Sequence, residues 1–313
     1  MPFPDFDPAL FTIPQFEVAG WAIGPLAIRW YALAYVAGIL LGWRYGLMLV
    51  RNLRLWGPRG PIATPVQIDD LVLWITLGVI VGGRLGYVLF YMLPMAEGRA
   101  MVASDWLVIF RVWEGGMSFH GGLIGVALAI IGFSWANRID ILRLGDLVAP
   151  CAPIGLFFGR IANFINGELW GRETSMPWGV VFCNDRLREQ GGGVCAAGEW
   201  PRHPSQLYEA ALEGLVIFLV LRWATHRARW LRRRGALVGL FLLLYGVFRM
   251  LLEQVRHPDA GLDNLPFGLT MGLMLSLPMA VIGMFLLFLA MRQPVEDDAP
   301  PAEPPTAKAH EPA

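Results

Sequence analysis

The chain has 313 residues, 56% of them hydrophobic and 16% charged, with 25 basic residues balanced by 25 acidic ones. That balance, a mean hydropathy of +0.50 and thirteen tryptophans fit one polytopic membrane domain, and the zero net charge points to no nucleic-acid partner. Three cysteines without a CxxC or Cys/His spacing offer no metal site.

Residues 1–20 hold Asp5, Asp7 and Glu17 but no Lys or Arg. A cleaved leader begins basic, so the first hydrophobic segment is expected to stay in the mature chain. The apolar segments predict an all-α polytopic membrane protein of about seven transmembrane helices. They lie near residues 22–49, 70–93, 117–136, 145–165, 207–225, 236–255 and 268–291. Each is close to the ~20 residues that cross the hydrocarbon core. The fourth contains Asp146, Pro150, Pro153 and Arg160, which predicts a broken helix buried in protein or lining a wet cavity. Residues 1–292 read as one transmembrane domain, and residues 293–313, rich in Pro, Ala and acid, as a disordered tail.

The loops set the orientation. Arg51, Arg54 and Arg59 follow the first span, Arg138 and Arg143 the third, and Arg227, Arg229, Arg232, Arg233 and Arg234 the fifth, while the alternate loops are mixed in charge. The positive-inside rule puts the N-terminus outside and the C-terminus in the cytoplasm. Residues 166–206 then form a long outer loop, with Cys183 and Cys195 on either side of Gly191-Gly192-Gly193. In an oxidising compartment these two form a disulfide or remain free thiols, and spacing does not decide between them. Cys151 reads as a small buried apolar residue.

Several spans carry polar groups that an apolar phase disfavours. The first opens Ile28-Arg29-Trp30-Tyr31, with Trp30 as an interfacial anchor. The second carries Gly82-Gly83-Arg84-Leu85-Gly86-Tyr87, whose glycines admit a close neighbour and whose Arg84, Tyr87 and Tyr91 share a face. Before the third comes Trp113-Glu114-Gly115-Gly116-Met117-Ser118-Phe119-His120-Gly121-Gly122. Glycine pairs leave the His120 imidazole open, and a reference pKa of about 6.5 suits proton transfer near neutrality. The fourth ends in residues 159–172, dense in Arg, Asn and Gly, with Arg160, Asn163 and Gly167 on one face. A charge near the bilayer centre costs ~3 kcal/mol, so such groups face a cavity, a partner or a headgroup. His203-Pro204-Ser205-Gln206-Leu207-Tyr208-Glu209 enters the fifth span and reads equally as a plain helix start. In the sixth, Tyr245, Arg249, Glu253 and Arg256 form one stripe. Arg249 and Glu253 are spaced for an intrahelical pair, and the surplus positive charge, with Arg160 and Arg84, predicts a phosphate site.

The run Gly159-Arg160-Ile161-Ala162-Asn163-Phe164-Ile165-Asn166-Gly167-Glu168-Leu169-Trp170-Gly171-Arg172 resembles the signature of the bacterial prolipoprotein diacylglyceryl transferases, with Ala162 where that family usually has glycine. The stretches around Tyr31, His120, His203 and Arg249 resemble it too, so the likeness spans about residues 29–279. Leu273 stands where the family normally has glutamine, which removes any polar role there.

The resemblance implies transfer of the diacylglyceryl group of phosphatidylglycerol to the lipobox cysteine thiol in a prolipoprotein signal peptide, giving a thioether and glycerol phosphate. It also implies a multi-pass protein of the bacterial inner membrane, surrounded by membrane lipids, acting as a monomer without cofactor or metal. Residue by residue, it marks His120, Arg160, Arg249 and Glu253 as catalytic. Tyr31, Arg84, Asn163, Asn166, Glu168, Gly171, Tyr245 and Arg256 are marked as contacts to substrate. A thiol attacks as thiolate and the leaving phosphate gathers charge, so the reaction needs a base and aimed cations. His120 is the leading base, with Glu168 its rival. Arg160 and Arg249 would grip the phosphate, Asn163 and Tyr31 orient the headgroup, and Glu253 position Arg249. Two other functions fit intramembrane arginines: an anion transporter, which usually shows a repeat absent here, and a non-catalytic lipid-binding scaffold.

Overall fold

The computed structural model describes residues 1–7, 9–18, 21–23, 26–112, 115–257, 270–293 and 295. The expected tail lies, apart from Gln293 and Val295, outside the described residues, as do Trp113, Glu114 and the loop before the seventh span. Four short strands come first, β1 (Ala9–Ile13), β2 (Phe16–Val18), β3 (Trp21–Ile23) and β4 (Leu26–Arg29), with β1 antiparallel to β4 and β2 to β3. The first helix, α1 (Trp30–Arg51), therefore begins at Trp30 and not at residue 22. The apolar run Leu26-Ala27-Ile28 is too short to reveal a period, and pairing with β1 satisfies its backbone instead.

The rest is helical. α2 (Pro65–Tyr87) starts at a capping box, in which Thr64 and Gln67 exchange side-chain and backbone hydrogen bonds, and continues through a π-helical turn, Val88–Met92. After α3 (Ala96–Ser104), α4 (Phe119–Asn137) is capped by the Ser118 side chain, which accepts from the Gly121 amide. α5 (Ile141–Val148) and α6 (Ala152–Asn166) meet at a 46° bend, as the prolines and Asp146 of the fourth span led one to expect. α7 (Asp185–Gln190) lies in the long loop. α8 (Ser205–Glu209) passes through a second π-helical turn, Ala210–Val216, into α9 (Ile217–His226), and α10 (Ala236–Leu252) and α11 (Met271–Arg292) complete the bundle. Four helical segments are long and apolar enough to cross a membrane: α1, Pro65–Met92, His120–Asn137 and Gly272–Arg292. The bent α5–α6 pair makes a fifth.

Leu49, Leu144, Leu147, Ile217, Leu221 and Leu237 are fully buried at the centre. Asp146, the acid that interrupts the fourth span, is also buried there. Its carboxylate accepts from the amides of Gly235, Leu237 and Val238, so it caps α10 from a neighbouring helix. Several helix pairs meet through glycine, among them α1 and α6 at Gly38 and Gly155. A Cβ on Gly82 would stand 2.5 Å from the Gly121 carbonyl and 2.7 Å from the Gly125 Cα, so α2 and α4 touch backbone to backbone. Gly239 and Gly246 do the same for α10 against α11.

Antiparallel contacts sort the helix ends. The Trp43 indole donates to Asp69, joining late α1 to early α2. Gly86 meets Gly121, and Asn163 reaches Tyr31. Tyr31, Tyr87, His120, Asn166 and Ser205 therefore share one end of the bundle, and Arg51, Asn137, Ile141 and His226 the other. The long loop covers the first, here termed the cap end, with a small core of Phe3, Val180, Phe182 and Ala197. Cys183 and Cys195 are joined there in a disulfide, which settles that alternative, with Cα atoms 5.4 Å apart. Cys151 is half-buried, its thiol donating to the Leu147 carbonyl at 3.5 Å.

A methyl group at the α2–α4 seam should be felt, and one on the open face of α6 should not. Gly82→Ala is expected to lower the unfolding free energy in detergent by ~1–3 kcal/mol, the range for overpacking. Gly159→Ala, where an added Cβ meets nothing within 4 Å, should leave it unchanged.

Candidate active site

The cap end gathers an unusual number of charges. Arg160, on α6, sends its Nε to Glu209 Oε2 at 3.0 Å and an Nη2 to Glu213 Oε2 at 3.5 Å. Both glutamates are fully buried. The other oxygen of Glu209 accepts from Arg256 Nη1 at 3.0 Å. One turn along α10, Arg249 Nη1 stands 2.8 Å from Glu253 Oε2. The Glu253 carboxylate also rests on the first turn of α11, where a Cβ on Gly272 would lie 2.3 Å from it. The positive end of that helix favours an anion there.

The stripe on the sixth span therefore carries no surplus of positive charge. Arg160, Arg249 and Arg256 face Glu209, Glu213 and Glu253, three against three. The physical reason is that unpaired charge is expensive in an apolar interior, so the fold supplies carboxylates from a third helix. The pairing is close but poorly aligned. Glu209 Oε2, Glu213 Oε1, Arg249 Nη1, Glu253 Oε2 and Gln206 Oε1 are buried without a hydrogen-bond partner. Such groups ask for an explanation, and a site that exchanges partners is one.

A polar wall flanks the charges. Asn163 Nδ2 donates to Tyr31 Oη at 2.6 Å and to Glu168 Oε1 at 3.0 Å, and Asn166 Nδ2 stands 3.5 Å from the same oxygen. Tyr31 and Tyr245 both lie close enough to interact with the Arg160 guanidinium. Glu168 sits in a turn built for it. Gly167 ends α6 at φ +73°, and Leu169 adopts φ +58°, a left-handed conformation that a branched side chain resists. Two donors from the start of α8 hold this turn: Gln206 Nε2 to the Glu168 carbonyl at 2.6 Å and Ser205 Oγ to the Leu169 carbonyl at 2.9 Å.

The remaining candidates sit elsewhere. Arg84 is buried and donates to four backbone carbonyls, those of Val108, Ile109, Gly115 and Gly116, so its guanidinium clasps the segment leading to His120. Gly171 is a crossing point: its amide donates to the His203 carbonyl, and a Cβ would press to 2.4 Å from the Val255 carbonyl. His120 is exposed on the first turn of α4, at the same end of the bundle as Tyr31. Leu273 contributes its backbone amide to the Thr270 cap of α11.

Sequence reading left the run from His203 to Glu209 open between a plain helix start and a family motif, and gave no role to Gln206, Glu209 or Glu213. The signal was present, for these three residues fall at 0, 3 and 7 and form a polar stripe in an apolar span. The π-helical turn at Ala210–Val216 lies within this stretch, as such turns often do at functional sites.

A sequence model of the family described as prolipoprotein diacylglyceryl transferase matches residues 19–289. The chain is also similar to proteins named phosphatidylglycerol–prolipoprotein diacylglyceryl transferase. One from Caulobacter sp. (strain K31) is 59% identical over 315 residues, covering 100% of both chains. One from Phenylobacterium zucineum (strain HLK1) is 60% identical over 308 residues, covering 98% of this chain and 99% of the other. One from Bradyrhizobium diazoefficiens is 50% identical over 286 residues, covering 91% and 95%.

Glu209 faces two arginines at once, so its loss takes a carboxylate from both Arg160 and Arg256. Glu209→Ala is expected to cost ~3–5 kcal/mol of stability, the range for breaking a buried pair. Glu209→Gln, which keeps the hydrogen-bonding shape, should cost less, and denaturant titration in micelles compares the two.

Proposed function

The chain belongs to the prolipoprotein diacylglyceryl transferase family, and we infer that it moves the diacylglyceryl group of phosphatidylglycerol onto the cysteine thiol of a prolipoprotein. The observation that supports the residue roles is the cluster of half-buried Arg160 and Arg249 and buried Arg256, in which Arg249 Nη1 and oxygens of Glu209, Glu213 and Glu253 have no hydrogen-bond partner. In the reaction the thiol gives its proton to a base. Sulfur then bonds to the terminal glyceryl carbon, and the bond from that carbon to the phosphate oxygen breaks. Glycerol phosphate departs with the electron pair, and the product is a thioether.

The phosphate gathers negative charge as it leaves. Guanidinium groups aimed at it in a dry site lower that barrier, because they need no reorganisation when the charge appears. Arg160 and Arg249 take this role, exchanging glutamate oxygens for phosphate oxygens. Glu209 and Glu213 position Arg160, Glu253 positions Arg249, and Arg256 anchors Glu209. Asn163, Asn166, Tyr31 and Tyr245 line the headgroup side. His120 is the proton acceptor in this reading, delivered by the segment that Arg84 clasps, and Glu168 is the alternative acceptor. Gly171 brings the chain close enough to His203 and Val255 to close the site.

The orientation rests on the arginine-rich loops, which put the cap end outside the bacterial inner membrane. Counting the helical stretch 205–226 and α10 with the five segments above gives seven crossings, an N-terminus outside and a C-terminus in the cytoplasm. The protein works as a monomer, with the membrane lipid and the signal peptide of the prolipoprotein as its partners.

The test uses purified protein in detergent with phosphatidylglycerol and a synthetic peptide bearing the acceptor cysteine. Release of glycerol phosphate is followed beside the mass gain on the peptide. Release coupled to a diacylglyceryl mass shift is expected, and it should vanish with Arg160→Ala and with a Cys→Ser peptide. For the base, His120→Gln is expected to slow turnover ~10²–10⁴-fold, the range for general acid–base catalysis, and to abolish the acid limb of the pH–rate profile. Near-normal turnover in His120→Gln with loss in Glu168→Gln would move that role to Glu168.

A further inference from the structure

The end of the bundle opposite the cap holds a second concave site, which the transfer reaction does not use. A cavity of about 480 Å³ lies between the last turns of α1 and α9, lined by Arg44, Met48, Arg51, Asn52 and His226. Sites for small molecules span ~300–1,000 Å³. Arg44, Met48 and Arg51 fall at 0, 4 and 7 on one face of α1, and Arg222 and His226 are four apart on α9. The imidazole is fixed in place: its Nε2 lies 3.1 Å from the hydroxyl of Tyr45, a buried residue whose ring packs edge-on against Phe218.

The charges here are arranged unlike those at the active site. Arg44, Arg51 and Arg222 are exposed, and among the described residues none of them has a carboxylate within 4 Å. Nearby Arg234, by contrast, is spoken for, paired with Asp140 at 2.9 Å. Towards the middle of the bundle the two helices turn apolar on the same faces. Leu41 precedes Arg44 by three positions and Leu219 precedes Arg222 by three, while Leu215 lies in the π-helical turn before α9, all three leucines exposed. A basic hollow with an apolar strip leading from it matches a molecule with an anionic head and hydrocarbon tails.

We propose that this hollow binds the phosphate of an anionic lipid headgroup, with acyl chains along Leu41, Leu215 and Leu219. Guanidinium forks suit phosphate oxygens, and three cations without a carboxylate leave the headgroup as the counter-charge. The site stands apart from the transfer reaction and does not depend on the roles given to Arg160 or His120.

Native mass spectrometry of the purified full-length chain, titrated with dioctanoyl phosphatidylglycerol, tests this. Arg44→Gln/Arg51→Gln should retain one lipid fewer than the parent, both with Arg160 intact and with Arg160→Gln, so loss at the active site is separated from loss here. The affinity for that lipid should fall about tenfold or more, as expected on removing charge-assisted contacts. Arg222→Gln provides an independent variant, and an unchanged melting temperature confirms that these exposed changes leave the fold intact. Dioctanoyl phosphatidylcholine, whose choline cation meets the arginines, should bind more weakly. Equal lipid retention in parent and variants would overturn the proposal. Displacement of the lipid by inorganic phosphate at matching concentrations would overturn the lipid assignment, leaving a site for the free anion.

Discussion

Ionic groups taken out of water must find partners, and that requirement organises the cap end of this protein. Three arginines and three glutamates from α6, α8 with its π-helical turn, and α10 are brought together where neither sign is tolerable alone. The pairs join α6 to α8 and its π-helical turn, and α8 to the end of the sixth span, so electrostatics as well as packing holds these elements together. The arrangement is not optimised for stability. Several of the buried oxygens and nitrogens meet at good distance and poor angle, the state expected of groups that have a further partner to accommodate.

Under the proposed reaction, phosphoester chemistry would give that state a purpose. A guanidinium satisfied by an ideal, bidentate carboxylate would have to break strong bonds before meeting a phosphate. In that proposal, one held loosely by Glu209 and Glu213 would exchange partners at small cost. The turn that presents Glu168 follows the same logic: Leu169 is held in a left-handed conformation by Ser205 and Gln206, so the start of α8 supports both the glutamate cluster and the polar wall beside it.

Much of this was legible in the chain. Hydropathy located most of the long helices to within about five residues, because the period and length of long apolar runs leave little choice, although the first was begun eight residues early. The broken fourth span was visible in Asp146, Pro150 and Pro153. The run from Gly159 to Arg172 and the stripe through Arg249 and Glu253 led to the residues that do meet. What escaped notice was pairing across distance. Glu209 and Glu213 have unremarkable neighbours in sequence, and nothing local announces that Arg160, some fifty residues earlier, needs them. The hairpin at β1 and β4 was missed for the same reason, since its register is set by a partner strand and not by its own apolar residues. For Arg84 the resemblance implies a contact to substrate. Only the fold reveals the four carbonyls it holds.

The glycine contacts have a mechanical side. Where α2 meets α4, and α10 meets α11, backbone lies on backbone with no side chain between to slide or change rotamer. Each pair therefore behaves as a stiff plank. Small displacements are absorbed where elements touch through longer side chains, as α1 and α9 do through Tyr45, Phe218 and His226. The bundle is thus stitched along two kinds of seam, one that admits no added methyl and one whose side chains have room to repack.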